Sequence, residues 1–138
     1  AISSAPVKNS IAPGIRDVNV RFVDNGILQL TLTTVKVGDD GTVTATVRYH
    51  NGSELPVPLV CEAVNDPAVD TITLSDGTSF AAGHTYCSDH PGAAVTLNPG
   101  DDFDSYAIFA HVAGPSGPGV LDWQTGNLVS GEARGIQF

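Results

Sequence analysis

Apolar and polar residues alternate at period two through much of this chain. In "VNVRFV" the pattern sets Val18, Val20 and Phe22 against Asn19 and Arg21. In "ILQLTLTTVKV" it sets Leu28, Leu30 and Leu32 against Gln29 and Thr31, and in "TVTATVRYH" it groups Val43, Ala45, Val47 and Tyr49. Successive side chains of a strand point to opposite faces, so these stretches predict half-buried strands. Valine and threonine dominate them, and β-branched side chains suit a pleated surface. "SYAIFAHV" differs. Tyr106, Ile108 and Ala110 alternate with Ala107, Phe109 and His111, so both faces are apolar and a central strand is expected.

Turn chemistry separates the runs. "DNG" (24–26) and "DDG" (39–41) are hairpin signals, because glycine after Asn or Asp accepts positive φ. "HNGS" (50–53), "DGTSF" (76–80) and "NPGDDF" (98–103) mark further bends, and "GPSGPG" (114–119) is a Gly/Pro loop. "HNGS" is also an Asn-x-Ser match, which ranks below the turn because so short a motif is common. Short strands are expected at Val120–Trp123 and over residues 133–138. No window holds a helical apolar period of useful length. The expectation is an all-β antiparallel sandwich of immunoglobulin type with about 7–9 strands and little or no helix. Residues 1–14, broken by Pro6 and Pro13, form a flexible lead-in, and residues 15–138 form one domain.

Composition narrows the classes. The 138 residues carry 41% apolar residues, enough for one packed core, and no run long enough to span a membrane. Fifteen acids against six bases leave a net charge of −9, which argues against a nucleic-acid partner and against anionic lipid surfaces. The chain starts at Ala1 without methionine, so signal-peptide removal and a secreted, extracellular location are expected.

From residue 27 to residue 138 the order of segments resembles the telokin-like, immunoglobulin-type secreted domains of high-GC Gram-positive (actinobacterial) bacteria. The resemblance is carried by "LTLTTVKVGDDGTVTATVRYHNGSELP", "TITLSDGTSF" and "VTLNPGDDFDSYAIFAHV". It implies the fold and an extracellular location, but its motifs are turns and core positions and imply no activity. The chain departs from the pattern in lacking a lipobox cysteine at its start, and in carrying Cys61 and Cys87.

Chemistry concentrates in "HTYCSDHPG" (84–92). An even cysteine count in a secreted chain favours a Cys61–Cys87 bridge. Zinc held by Cys61, His84, Cys87 and His90 is an alternative, weakened because Cys61 stands alone as the fourth ligand. A Cys-His-Asp nucleophile set is a third, and a bridged Cys87 would remove it. Asp101, Asp102 and Asp104 are weak calcium candidates, as are Asp39 and Asp40, since neither stretch has EF-hand spacing. Trp123 belongs either to the core or, if exposed, to a platform for a sugar or protein. The resulting expectation is a monomeric, non-catalytic extracellular domain without cofactor. It would bind a protein or a cell-surface glycan through exposed loops, with His84, Asp89, His90 and Trp123 as binding candidates. The competing reading is a secreted hydrolase or metal-dependent enzyme centred on residues 84–90.

Overall fold

A computed structural model describes residues 11–61, 70–123 and 131–138. Antiparallel strands dominate it and pack as a sandwich. In chain order the strands are β1 (Gly14–Asp24), β2 (Leu28–Val37), β3 (Val43–Asn51), β4 (Val57–Val60), β5 (Thr71–Thr73), β6 (Ser79–Ala81) and β7 (His84–Thr85). A single helical turn, α1 (Tyr86–Asp89), precedes β8 (Ala94–Leu97), β9 (Asp102–Phe109), β10 (Pro118–Trp123) and β11 (Gly131–Gln137). One sheet has the order β1-β2-β3-β9-β7, the facing sheet β11-β10-β5-β6, and β4 pairs with β8 in a separate ribbon.

The core follows the alternation. Leu28, Leu30 and Leu32 of β2 and Val43, Ala45, Val47 and Tyr49 of β3 are all buried. They meet Ile72, Leu121, Trp123, Ala133 and Ile136 of the facing sheet in one cluster. Trp123 is fully buried, and its indole N–H donates to the Tyr49 hydroxyl at 2.7 Å. Removing that donor from water requires an acceptor, and the one supplied comes from the opposite sheet. Burial pushes the Tyr49 hydroxyl pKa well above the ordinary tyrosine value, so it stays protonated.

Two expectations need correction. In β1 the alternation fails, because extra residues interrupt its pairing with β2 between Asp17 and Val20 and again between Arg21 and Val23. Phe22 and Val23 are consequently both half-buried, while Val20, on this edge strand, is 37% exposed. In β9 the two faces are unequal. Ser105, Ala107 and Phe109 are buried and Tyr106 and Ile108 half-buried, because only the first set lies on the side that packs into the core. The strand is nevertheless interior to its sheet. Ile11 packs against the core and Gly14 opens β1, while residues 1–10 of the expected lead-in lie outside the described residues.

The turns form where the sequence places them. Gly26, Gly41, Gly77 and Gly100 all have positive φ. Gly41 carries a second constraint, since a Cβ there would sit 2.9 Å from the Val112 carbonyl oxygen. The sequon match resolves against glycosylation of the folded chain. Asn51 is completely buried, and its Nδ2 donates to the Leu55 and Leu97 carbonyls at 2.8 Å each. One side-chain amide thereby ties β3 to the end of β8 and to the segment leading into β4, steadying a ribbon that two strands alone would hold weakly.

Replacing Tyr49 with Phe leaves the Trp123 N–H without its acceptor inside the core. The expected loss is about 1–3 kcal/mol of unfolding free energy, read from urea denaturation with an unchanged m-value. A loss below a few tenths of a kcal/mol would mean the indole finds another partner.

Candidate functional site

The nine residues from His84 to Gly92 form a corner built in four steps. β7 pairs with β9 in the register His84–Ile108 and Thr85–Ala107, which turns His84 outward and buries Thr85. Thr85 then caps α1: its hydroxyl accepts from the Ser88 N–H at 3.1 Å, and the Ser88 hydroxyl accepts from the Thr85 N–H at 2.8 Å. This reciprocal capping box satisfies donors that a helix start leaves open. Cys87 points inward and is bridged to Cys61, with a Cα–Cα distance of 5.1 Å. Pro91 and Gly92, the latter at φ 76°, end the turn.

On this corner Asp89 is a junction. Its Oδ1 lies 2.8 Å from His84 Nδ1, and its Oδ2 accepts from the Tyr106 hydroxyl at 2.6 Å. The Tyr106 bond, then the His84 bond, hold the Asp89 carboxyl below the ordinary aspartate range. Tyr106 is pushed up to about 12, by burial first and by Asp89 second. With Asp89 ionised, its contact with Nδ1 makes that nitrogen the donor and leaves Nε2 of His84 facing outward. His84 is 66% exposed on its side chain, so the group is presented to solvent rather than enclosed.

His90 does not join this group. Its Nδ1 donates to the Tyr86 carbonyl at 2.8 Å, and its ring stacks on Tyr86 with centroids 4.4 Å apart. Tyr86 in turn lies edge-on to Phe103 at 5.0 Å and to Tyr106 at 6.2 Å. Those two residues project from opposite faces of β9, so Tyr86 wraps the edge of β9 that the two-residue β7 leaves uncovered. Phe103 continues inward to Tyr49, 6.3 Å away, and Tyr49 to Trp123. A run of rings connects the core to the corner.

The chemical options narrow accordingly. Cys87 is bridged and cannot attack, and Ser88 donates its hydroxyl proton to the Thr85 carbonyl while accepting from the Thr85 N–H. Zinc through Cys61 and Cys87 is likewise removed by the bridge. The calcium candidates are individually engaged. Asp101 accepts from the Asn98 N–H at 3.0 Å, Asp102 contacts His50 Nδ1 at 2.6 Å, and Asp104 takes a bidentate pair from Arg48 at 2.8 and 3.2 Å. Asp40 accepts from the Thr42 N–H, which lowers its pKa. Among the described residues no three His, Cys, Asp or Glu side chains group as metal ligands. Of the two places the sequence allowed for Trp123, core or exposed platform, it takes the core, where its ring fills the space between the sheets, so it leaves the binding candidates.

Sequence reasoning missed Tyr106 as a partner of Asp89, and missed the pairs His50–Asp102 and Arg48–Asp104. The last two lie directly across from one another on β3 and β9. Their signal was present in the polar positions of each alternating strand, but pairing them requires the sheet order. Comparisons with protein-family models, with curated proteins and with solved structures find no match for this chain.

Two outcomes follow. Replacing both Cys61 and Cys87 with Ser opens a loop of sequence separation 26 and should cost about 3.5 kcal/mol by loop-closure entropy, read from urea denaturation. For Asp89, the depressed folded-state pKa means its contribution is present above about pH 4 and is lost as pH falls through the folded value. In Tyr106→Phe the Asp89 carboxyl carbon, followed by NMR, should titrate at higher pH than in the parent chain. An unmoved midpoint would show that the 2.6 Å bond does not form in solution.

Proposed function

We propose that this chain is a secreted, non-catalytic extracellular domain that binds a cell-surface glycan or a protein through exposed loops at the end of its sandwich. It would belong with the telokin-like, immunoglobulin-type domains that its segment order resembles. The observation that carries the reading is the state of the 84–92 corner. His84, Asp89 and Tyr106 are held in one hydrogen-bonded arrangement that faces solvent, on a turn anchored by a capping box and a disulfide. Rigid presentation of polar groups lowers the entropy lost on association. Loops on a fixed scaffold are the usual place for recognition.

An intramolecular disulfide suits an oxidising compartment, which supports the extracellular part of the proposal. Among the described residues no helix is long and apolar enough to cross a membrane. A second candidate recognition loop is the Gly/Pro segment 114–119, where the Ser116 carbonyl accepts from the Ser75 hydroxyl at 3.1 Å.

A hydrolase centred on residues 84–90 retains one supporting feature, the contact of a carboxylate with His84, which resembles a base and the group that orients it. Among the described residues its two neighbouring nucleophile candidates are both engaged, Cys87 in the bridge and Ser88 with Thr85.

The test is a binding screen of the whole chain against a glycan array and against extracted surface proteins. The double variant His84→Ala/Asp89→Ala should weaken any captured partner at least tenfold while leaving the thermal transition within a few degrees. Full retention of binding by that variant would sink the corner as the recognition surface. Turnover of an ester or glycoside substrate that the same double variant abolishes would favour the hydrolase.

A further inference from the structure

A second feature lies away from the corner, on the outward face of the five-stranded sheet. A groove of about 310 Å³ runs along β2 there. Gln29, Thr31 and Thr33 form its floor, Asn19 and Arg21 of β1 one wall, and Arg48, His50 and Asp102 the other. The register sets out two rows across it: Arg21–Thr31–Arg48–Asp104, and Asp24–Gln29–His50–Asp102. Strands lie about 4.8 Å apart, so Arg21 and Arg48 stand roughly 10 Å from one another across Thr31.

We infer that this groove is a binding site for a neutral saccharide. The inference rests on the binding reading above for the class of ligand, but not for the place. Its first support is the state of the lining groups. One wall is set in advance: Asp104 holds Arg48 with two bonds, and Asp102 holds His50. The remaining groups are open. Asn19, Gln29 and Thr31 make no side-chain hydrogen bond among the described residues, and the contact of Arg21 with Asp24, at 3.6 Å, is beyond hydrogen-bonding range.

Charge decides the kind of ligand. Arg21 and Arg48 stand beside Asp24, Asp102 and Asp104, so the groove has no cationic excess to favour a carboxylated or phosphorylated ligand. It offers instead donors from guanidinium and amide next to acceptors from hydroxyl, amide and carboxylate. Neighbouring sugar hydroxyls, each both donor and acceptor, need such a mixture. The volume lies at the small end of ligand sites, about 300–1,000 Å³, which suits one or two rings with the chain continuing into solvent. No Phe, Tyr or Trp among the described residues lines the groove, so affinity on the order of 1 mM is expected.

The backbone adds a separate observation. Asn19 has φ 50°, one of two non-glycine residues with positive φ among those described, and it lies within the first bulge of β1. Bulges re-aim side chains, and this one carries Asn19 into the groove wall.

The experiment titrates the isotope-labelled whole chain with cellotriose, mannotriose and chitotriose, and in parallel with trigalacturonate, following the Gln29 side-chain amide, the Arg48 Nε–H and the backbone amides of Asn19 and Thr31. At least one neutral trisaccharide should shift these signals in a saturable way, and Gln29→Ala/Thr31→Val, both on the outward face, should weaken that binding at least fivefold with an unchanged thermal transition. Shifts confined to residues 81–92 or 114–119 would overturn the groove while leaving the domain a saccharide binder. Silence toward every saccharide, or a response to trigalacturonate alone, would overturn the inference outright. An unchanged affinity in the double variant would do the same.

Discussion

The hydrogen bond between Trp123 and Tyr49 is the constraint from which the sandwich is most easily understood. A tryptophan can fill the space between two sheets, but its N–H cannot be left unpaired there. The acceptor is a hydroxyl on the other sheet, so the largest buried ring fixes the lateral position of one layer on the other. The flat apolar contacts of Leu30, Val47 and Leu121 tolerate sliding better than this directed bond does. Tyr49 also begins the series of rings that reaches Phe103, Tyr86 and His90, so the placement of the core is passed to the surface corner through packing.

Two further ties hold what the main layers do not. The β4–β8 ribbon belongs to neither sheet. The buried amide of Asn51 bonds at one of its ends, to Leu97 and to Leu55 just before β4, and the Cys61–Cys87 bridge joins its other end to α1. A helix of one turn has little stability of its own, since forming the first turn is unfavourable. It persists because its start is capped, its interior cysteine is bridged and Tyr86 covers the open edge of β9. The corner is therefore rigid for reasons that lie mostly outside it.

β9 links the two surfaces discussed for function. Its inward residues Ser105, Ala107 and Phe109 belong to the core, while Asp102, Asp104 and Tyr106 face outward at two-residue intervals. The first two anchor groups beside the groove and the third anchors Asp89 at the corner. A polar row on a strand whose other face is buried cannot drift, so all three contacts inherit the rigidity of the core. In an acidic chain this row is also where two of the basic side chains, Arg48 and His50, are paired.

The sequence by itself determined the β class, the turns and most of the core. A period-two pattern and an Asn-Gly or Asp-Gly turn are local properties: Leu28, Leu30, Leu32 and the row from Val43 to Tyr49 are buried as the alternation requires. Where the pattern misled, in β1, the cause was an extra residue that strand pairing absorbed as a bulge, and no local composition announces which residue will be the extra one. The residues of the 84–92 corner were visible as chemistry, and two cysteines in the chain pointed to their bridge. Their arrangement was not legible. Whether Asp89 meets Tyr106, whether Arg48 meets Asp104, and whether Trp123 faces solvent or core all depend on which strands are neighbours. That order is set by packing among residues far apart in the chain, so only the tertiary structure decided it.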